Sequence, residues 1–381
     1  MTLTRRKTIG LIGGGVILAA GAATGTTLVR KPTEALAPWA QAGGYDDPRK
    51  RALSYALLAP NPHNRQPWLV DLSRPDEVTL YADTQRLLPE TDPFNRQITI
   101  GLGCFLELMR IAALEEGLRV DIELFPEGMA DAGLDTRPVA RCRFAPTTAP
   151  RDPLFAQVPH RRTLKEPYDT TRAVPLAVLQ RIAAAAMHGS EVQLTAAPDR
   201  VAALREISAE AFLIEFRTER TLKESVDLFR IGAREVNANP DGIDFTGPTF
   251  EMLRMAGLFT RESAMDRNST SYKQGERMIV ENMMTAMAHL WQITPDNSRA
   301  AQIRAGQDWV RINLAATAEG IGLQPLSQGL QEFPEMADIH ASLHETLAPE
   351  GGTVQMWCRL GYGPQVPVSP RWPLDAKIVN A

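Results

Sequence analysis

Cysteine is scarce in this 381-residue sequence, basic charge is not in excess, and no complete dinucleotide fingerprint occurs. Each shortage closes off a class of function. Cys104, Cys142 and Cys358 stand far apart, with no short paired spacing. Neither a zinc site nor a disulfide framework is built that way, so core thiols are expected. The net charge is −4, and setting aside residues 1–42 leaves 36 basic against 44 acidic residues, a net of −8. That balance argues against a nucleic acid partner. Gly13-Gly14-Gly15 lies in an apolar segment with no strand–helix unit around it. Gly101-Leu102-Gly103 lacks the third glycine, and tight helix packing explains it better. No metal-ligand spacing and no acid–base dyad is visible.

The N-terminus does carry a signal. Arg5-Arg6 is followed by an uncharged stretch, Thr8 to Val29, and the whole resembles a twin-arginine export signal. The stretch is long enough to cross a bilayer if it stays uncleaved. Its many Gly, Ala and Thr residues make it weakly hydrophobic, which favours a signal over a permanent anchor. Possible cleavage sites follow Ala22 or Ala42, while Pro38 should block a cut after Ala37. Residues 1–42 are therefore read as a signal or N-terminal anchor, and the expected location is periplasmic or otherwise extracytoplasmic. This route carries folded proteins, and a cofactor inserted beforehand is a common reason to fold first.

Beyond it, the pattern alternates between helix and strand. "DPRKRALSYALL" reads as a helix and "EVTLYAD" as a strand. "ITIGLGCFLELMRIAALEEGL" reads as a long helix, with Leu102, Phe105, Leu106, Met109, Ala112 and Ala113 facing the core and Gly117 ending it. "VDIELFP" and "VARCRFAP" follow as strands. A second unit runs through a helix whose first turn holds Pro175, the strand "EVQLTAA", the helix "DRVAALREISAEAFLIEF" and a strand near Ala286–Trp291. The amphipathic helix "RAAQIRAGQDWVRINLAATAEGIGL" and the strand "TVQMWCRLGYG" complete it. Residues 217–275 are rich in charge, Gly and Asn, and read as a mobile lid-like insert with "NANPDGIDFTGP" as a loop. "PVSPRWPL" reads as an extended tail. The expected class is α+β, with a first half over 43–155 and a second over 156–375. The order of elements suggests duplication, although no simple sequence repeat is visible.

Three segments carry the chemistry. The first is the turn Ala59-Pro60-Asn61-Pro62-His63-Asn64-Arg65-Gln66-Pro67-Trp68. The second is His160 to Tyr168, with Arg161, Arg162, Thr163 and Lys165. The third is the C-terminal pair Gly320–Gln328 and Ser369-Pro370-Arg371. Singly, each has a plain explanation: a satisfied turn with a core tryptophan, a solvated charge run, a surface arginine. In combination they resemble the nitroreductase family of FMN-binding flavoproteins. That family has an Asn-x-Gln-Pro-Trp turn, an Arg-Arg-Ser-type segment, here Arg161-Arg162-Thr163, a Gly-rich helix end before a Pro-containing strand, and a closing basic phosphate contact. Here the turn precedes the Arg-Arg segment, an order similar to the long, single-chain, Acg-like branch, in which two half-units mimic the usual homodimer. Asn61-Pro62 stands where that turn usually has a serine pair.

The resemblance implies a nitroreductase-like fold with antiparallel-rich central sheets flanked by helices. It implies an FMN phosphate bound by Arg161, Arg162 and Arg371, with the Thr163 hydroxyl added and Lys165 at the flavin's N1/C2 edge. Pro60, Asn61, His63, Asn64 and Gln66 would meet the ribityl chain and ring. Pro325, Leu326 and Ser327 would present an apolar face and a backbone N–H near N5. No second basic set or turn occurs, so one flavin per chain and a working monomer are expected. The implied activity is that of an exported oxidoreductase passing hydride through the flavin to a small organic acceptor, nitro or quinone-like. The alternative is a flavin-holding protein with little turnover, because a closed lid would bar substrate and an exported protein has little access to NAD(P)H. The partners expected are that small molecule and the twin-arginine export machinery.

Overall fold

Two 20-residue helices, Arg96–Glu115 and Arg299–Ala318, lie against one another and are buried along most of their length. Side-chain oxygens take up amides in the first turn of each. The Asp92 carboxylate accepts from the Gln97 and Ile98 N–H groups, and Ser298 Oγ accepts from Ala301 N. Both end at a glycine in the left-handed region, Gly117 (φ 69°) and Gly320 (φ 66°). Between these ends the backbones touch at a glycine pair. A Cβ on Gly103 would stand 2.1 Å from Ile303 O, and one on Gly306 would stand 2.0 Å from Ile100 O. Any side chain there would force the helices apart.

The computed structural model describes residues 31–129 and 133–381; the twin-arginine motif and its apolar stretch lie outside the described residues. Strands β1 (Trp68–Asp71), β2 (Glu77–Ala82), β3 (Leu118–Leu124) and β4 (Pro138–Pro146) pair antiparallel in the order β1-β2-β4-β3. In the second half, β5 (Glu191–Thr195) is separated from the next core strand by an insert that carries β6 (Phe229–Ile231) and β7 (Ile243–Phe245). Strands β8 (Ala288–Thr294), β9 (Gly322–Pro325) and β10 (Thr353–Gly361) then complete a second antiparallel sheet in the order β5-β8-β10-β9. Each sheet thus places its first, second, fourth and third strands side by side, with a long helix between the second and third. The architecture is α+β with antiparallel-rich sheets and flanking helices.

The buried faces follow from periodicity. Leu102, Phe105, Leu106, Met109, Ala112 and Ala113 all lie in one large core shared by both central helices and both sheets. A second cluster, including Phe212, Trp291, Leu326, Leu343 and Trp357, fills the space beyond the second sheet. The three cysteines are free and buried, and burial pushes each thiol far up.

At four places the structure adds to the sequence reading. A helix, Thr33–Gln41, stands inside the segment read as signal or anchor, with Ala35 and Pro38 buried. Four helices lie within the insert and a fifth, Thr270–Met283, starts in it and runs beyond; "NANPDGIDFTGP" contains β7, which pairs in parallel with β6. The strand placed at Ala286–Trp291 runs from Ala288 to Thr294. The tail does not end extended: β11 (Ile378–Asn380) adds to the first sheet parallel to β1, so the last residues of the chain return to the first half.

Candidate functional site

The turn after the helix Pro48–Ala56 is held in an unusual backbone state. His63, Asn64 and Gln66 have φ of 46°, 51° and 50°, a region that non-glycine residues seldom enter. Such strain costs roughly 1–3 kcal/mol per residue and needs surrounding contacts to hold it. Those contacts are present. Asn61 Oδ1 accepts from Gln66 N at 2.7 Å. The fully buried Gln66 donates to Pro240 O at 2.7 Å and accepts from Trp372 N at 2.9 Å, while its carbonyl accepts from Lys377 Nζ at 2.8 Å. Trp68 pins the strand that follows, with its ring centroid 4.9 Å from that of Phe105. Gly101 permits the close approach, since a Cβ there would meet Asn61 Cβ at 3.1 Å.

Onto this turn converge two arginines far apart in sequence. Arg371 is buried. It donates from Nε to Leu57 O at 2.7 Å, from Nη1 to Asn64 Oδ1 at 2.7 Å, and from Nη2 to Ala59 O at 3.2 Å. Arg161, also buried, donates from Nη2 to Leu58 O at 3.3 Å, an oxygen that Arg371 Nη2 shares at 3.3 Å. The Arg161 Nη1 is enclosed with no partner among the described residues. Half-buried Arg162 donates to Pro159 O and to Arg161 O. Among the described residues none of the three has a carboxylate at ion-pair distance. Burial pushes Arg371 down to about 9, with Arg161 adding to the push and Asp244 opposing it. Burial, then Arg162, push Arg161 down to about 10. Three adjacent guanidinium groups, one N–H unmet and no counter-charge in contact among the described residues, form a donor set that could take up an anion.

Other groups share this field. Burial lowers His63 to about 4, with Lys165 and Arg65 contributing, and the enclosed Nδ1 of His63 has no partner among the described residues. At pH 7 this imidazole is neutral. Asp244, on β7 of the insert, feels Lys165 and Arg371; burial raises its pKa and those two cations oppose the rise. The Lys165 side chain is exposed, and its carbonyl is fixed by Asn282 Nδ2 and Arg359 Nη2. Thr163 is half-buried and Pro60 lies beside the Leu57–Ala59 carbonyls.

The third sequence segment comes only partly to this place. Leu164 N donates to Leu323 O, so the arginine segment runs beside β9. Leu326, however, is buried in the second core cluster, and its N–H is taken by Trp357 O at 2.8 Å. It offers neither an apolar face nor a free donor to a ligand. Pro325 pairs with Cys358 across the sheet, and half-buried Ser327 opens the turn that follows.

Sequence reasoning missed three contributors. Trp39, on the helix Thr33–Gln41, lies under two of the arginines. The insert reaches the turn directly, with Gly242 N donating to Asn64 O at 3.2 Å. Asp241 gathers Arg86, Arg230 (2.8 Å) and Arg65 (3.8 Å) beside it. A tryptophan just beyond the apolar N-terminal stretch is the one hint the sequence offers to the first.

No family model matches the chain. It is similar to two proteins of Mycobacterium tuberculosis (strain ATCC 25618 / H37Rv). One, named "Putative NAD(P)H nitroreductase Rv3131", is 26% identical over 345 residues, covering 84% of this chain and 88% of that protein. The other, named "Putative NAD(P)H nitroreductase acg", is 24% identical over 345 residues, covering 86% and 93%. Among solved structures, the FMN-dependent nitroreductase NfnB from Mycobacterium smegmatis in complex with NADPH overlays with a TM-score of 0.33 at 19% identity, covering 58% of this chain and 94% of that one.

Proposed function

We propose that the chain is an FMN-binding flavoprotein of the nitroreductase family, an oxidoreductase that acts on a small organic acceptor of nitro or quinone type. One observation carries the reading. Arg161, Arg162 and Arg371 meet at a strained turn with no carboxylate between them, and Arg161 keeps a buried N–H unmet. A phosphate monoester dianion suits that donor set in charge and in number of acceptors. The similarity to proteins named as nitroreductases supports FMN as its bearer.

When bound, FMN supplies a two-electron carrier that takes up hydride and passes it on. The chain's part is to hold and orient it. The arginines and Thr163 would anchor the phosphate. Asn61, Asn64, Gln66 and Pro60 would fix the turn against the ribityl chain, and Lys165 would keep a cation in the same field. Neutral His63, with its free Nδ1, is suited to contact ligand or acceptor. The two sheets of like strand order, each with a Glu-Gly-ended central helix, support two half-units from duplication and hence a working monomer. Residues 1–30 would direct twin-arginine export to an extracytoplasmic place.

A second reading has its own observation. The insert sits directly on the turn through Pro240, Gly242 and Asp241, and so would close a ligand in. That arrangement favours a flavin-holding protein with little turnover. Purified full-length protein should release FMN and not FAD, at about one per chain; a colourless protein that takes up no added FMN overturns the proposal. Anaerobic titration with NADPH then separates the readings, because only the oxidoreductase bleaches its flavin.

A further inference from the structure

The helix Thr33–Gln41 precedes every segment that the sequence assigned to ligand binding, yet it is built into the arginine cluster. The Trp39 ring lies 4.8 Å from the guanidinium carbon of Arg162 and 5.5 Å from that of Arg371. Its Nε1 donates to Ser369 O at 2.8 Å, and Ser369 Oγ accepts from Arg371 Nη1 at 2.7 Å. Four residues earlier, Ala35 O accepts from Arg371 N at 2.8 Å, and Ala35 N donates to Asn237 Oδ1 of the insert at 3.1 Å. One helix therefore touches the arginine segment, the arginine of the tail, and the insert.

We infer that this helix is a wall of the anion site and that Trp39 positions Arg162 and Arg371 for a phosphate-bearing ligand. The physical reason is the repulsion between like charges. Two guanidinium groups without carboxylates must be held near each other before any anion arrives. An aromatic face attracts both without neutralising either, so their charge stays available to the ligand. A carboxylate in the same place would compete with a phosphate. Trp39 is thus a positioning residue. Processing would then matter: of the two possible cleavage sites read in the sequence, a cut after Ala42 would remove this wall, whereas a cut after Ala22 would keep it.

The inference rests on the proposed anion site but not on the identity of the flavin, and the test separates the two. Trp39→Ala and Trp39→Phe are made in the full-length protein, and apo melting temperatures are compared first. Dissociation constants for FMN and riboflavin are then measured, alongside the rise in melting temperature caused by inorganic phosphate. Trp39→Ala should weaken FMN about tenfold and leave riboflavin within about twofold. Trp39→Phe, which keeps an aromatic face but loses the bond to Ser369, should fall between. Equal weakening of both ligands, or no change in either, overturns the inference. If wild type binds no flavin, the cofactor reading fails while phosphate still decides Trp39: a smaller rise in Trp39→Ala than in wild type supports the role, and an equal rise or none in wild type overturns it. Trp39→Phe serves as the decisive variant if Trp39→Ala does not fold.

Discussion

Two clusters of buried and half-buried arginines, one between the central helices and one around the turn, are kept in opposite ways. Between the central helices, Arg110 grips Glu107 with two bonds of 2.7 and 2.8 Å, and Arg311 reaches Glu107 at 3.0 Å and Asp152 at 2.6 Å. His188 Nε2 stands 3.1 Å from the same Glu107. Charge is matched there, and nothing is left for a ligand. Around the turn, Arg161, Arg162 and Arg371 meet, among the described residues, only carbonyls, an amide, a hydroxyl and an indole. Nearby Arg65, Arg86 and Arg230 show that this part of the chain can supply a carboxylate, Asp241, where structure alone is wanted. Buried arginines as such are therefore uninformative, and so is a missing carboxylate alone: Arg359 is fully buried with none at ion-pair distance among the described residues, yet carbonyls, an amide oxygen and a hydroxyl take up its N–H groups. What sets the cluster at the turn apart is the enclosed, unmet Arg161 Nη1 beside two further guanidinium groups.

The matched cluster should respond most strongly to mutation, through stability. Removing one partner of a buried ion pair costs about 3–5 kcal/mol. Glu107→Gln takes the closest carboxylate from Arg110 and leaves Arg311 with Asp152 alone, and should lower the free energy of unfolding by that order, read from urea denaturation. The folded fraction should bind FMN as wild type does. A loss under about 1 kcal/mol would mean that Glu107 is no more than one hydrogen-bond acceptor among several.

The same carboxyl gives an acid limb. Burial alone would raise its pKa, but Arg110 and His188 outweigh burial and hold it at about 2, against an ordinary 4.5. A folded pKa below the unfolded one gives stability that is complete above about 4.5 and lost as pH falls toward 2. The loss across that window should be on the order of 3 kcal/mol. Denaturation midpoints at successive pH values would check it. Glu107→Gln should flatten this limb; an unchanged limb would assign the acid sensitivity to other carboxylates.

The unmatched cluster should respond through affinity. Charge-assisted hydrogen bonds contribute roughly 1.5–3 kcal/mol each. Arg371→Ala should therefore weaken FMN about tenfold to a hundredfold and riboflavin much less, since riboflavin lacks the phosphate. Equal weakening would make Arg371 a clamp for the Leu57–Ala59 carbonyls and nothing more.

Much of this site is legible in local chemistry alone. The polar turn between prolines, the Arg161-Arg162-Thr163 segment and Arg371 each stand out in the sequence, and the core face of Arg96–Glu115 follows from its 3.6-residue period. What stays hidden depends on long-range closure. Nothing in the tail predicts that Arg371 folds back onto carbonyls more than 300 positions away, or that β11 joins β1. The burial of Leu326 is equally hidden, because a loop-like proline segment says nothing about which neighbour takes its N–H. Trp39 is masked by the signal-like stretch it follows. The likeness of the halves is readable in principle: Ile100 and Gly103 match Ile303 and Gly306, Ala112-Ala113 match Ala315-Ala316, and Glu116-Gly117 match Glu319-Gly320, all at one constant separation. So few identities escape a search for simple repeats, and only the shared glycine contact gives them a physical reason.

The smallest effect belongs to the cation that lies outside both groups. Lys165 is exposed, so water and salt screen it, and its interaction with any bound charge should be about 0.5–1 kcal/mol. If it faces the flavin, it favours the reduced, anionic form over the oxidised one. Lys165→Ala should then make the two-electron potential of bound FMN more negative by roughly 10–20 mV, because 30 mV corresponds to about 1.4 kcal/mol for such a couple. FMN affinity in the oxidised state should stay within about twofold, which distinguishes Lys165 from the arginines proposed to hold the phosphate. Salt gives a second check: the difference between wild type and variant should shrink as ionic strength rises. Measured by equilibration with a reference dye at low and high salt, an unchanged potential would detach Lys165 from the flavin. A large shift that ignores salt would instead place its ammonium in a drier position than the exposed one it occupies in this structure.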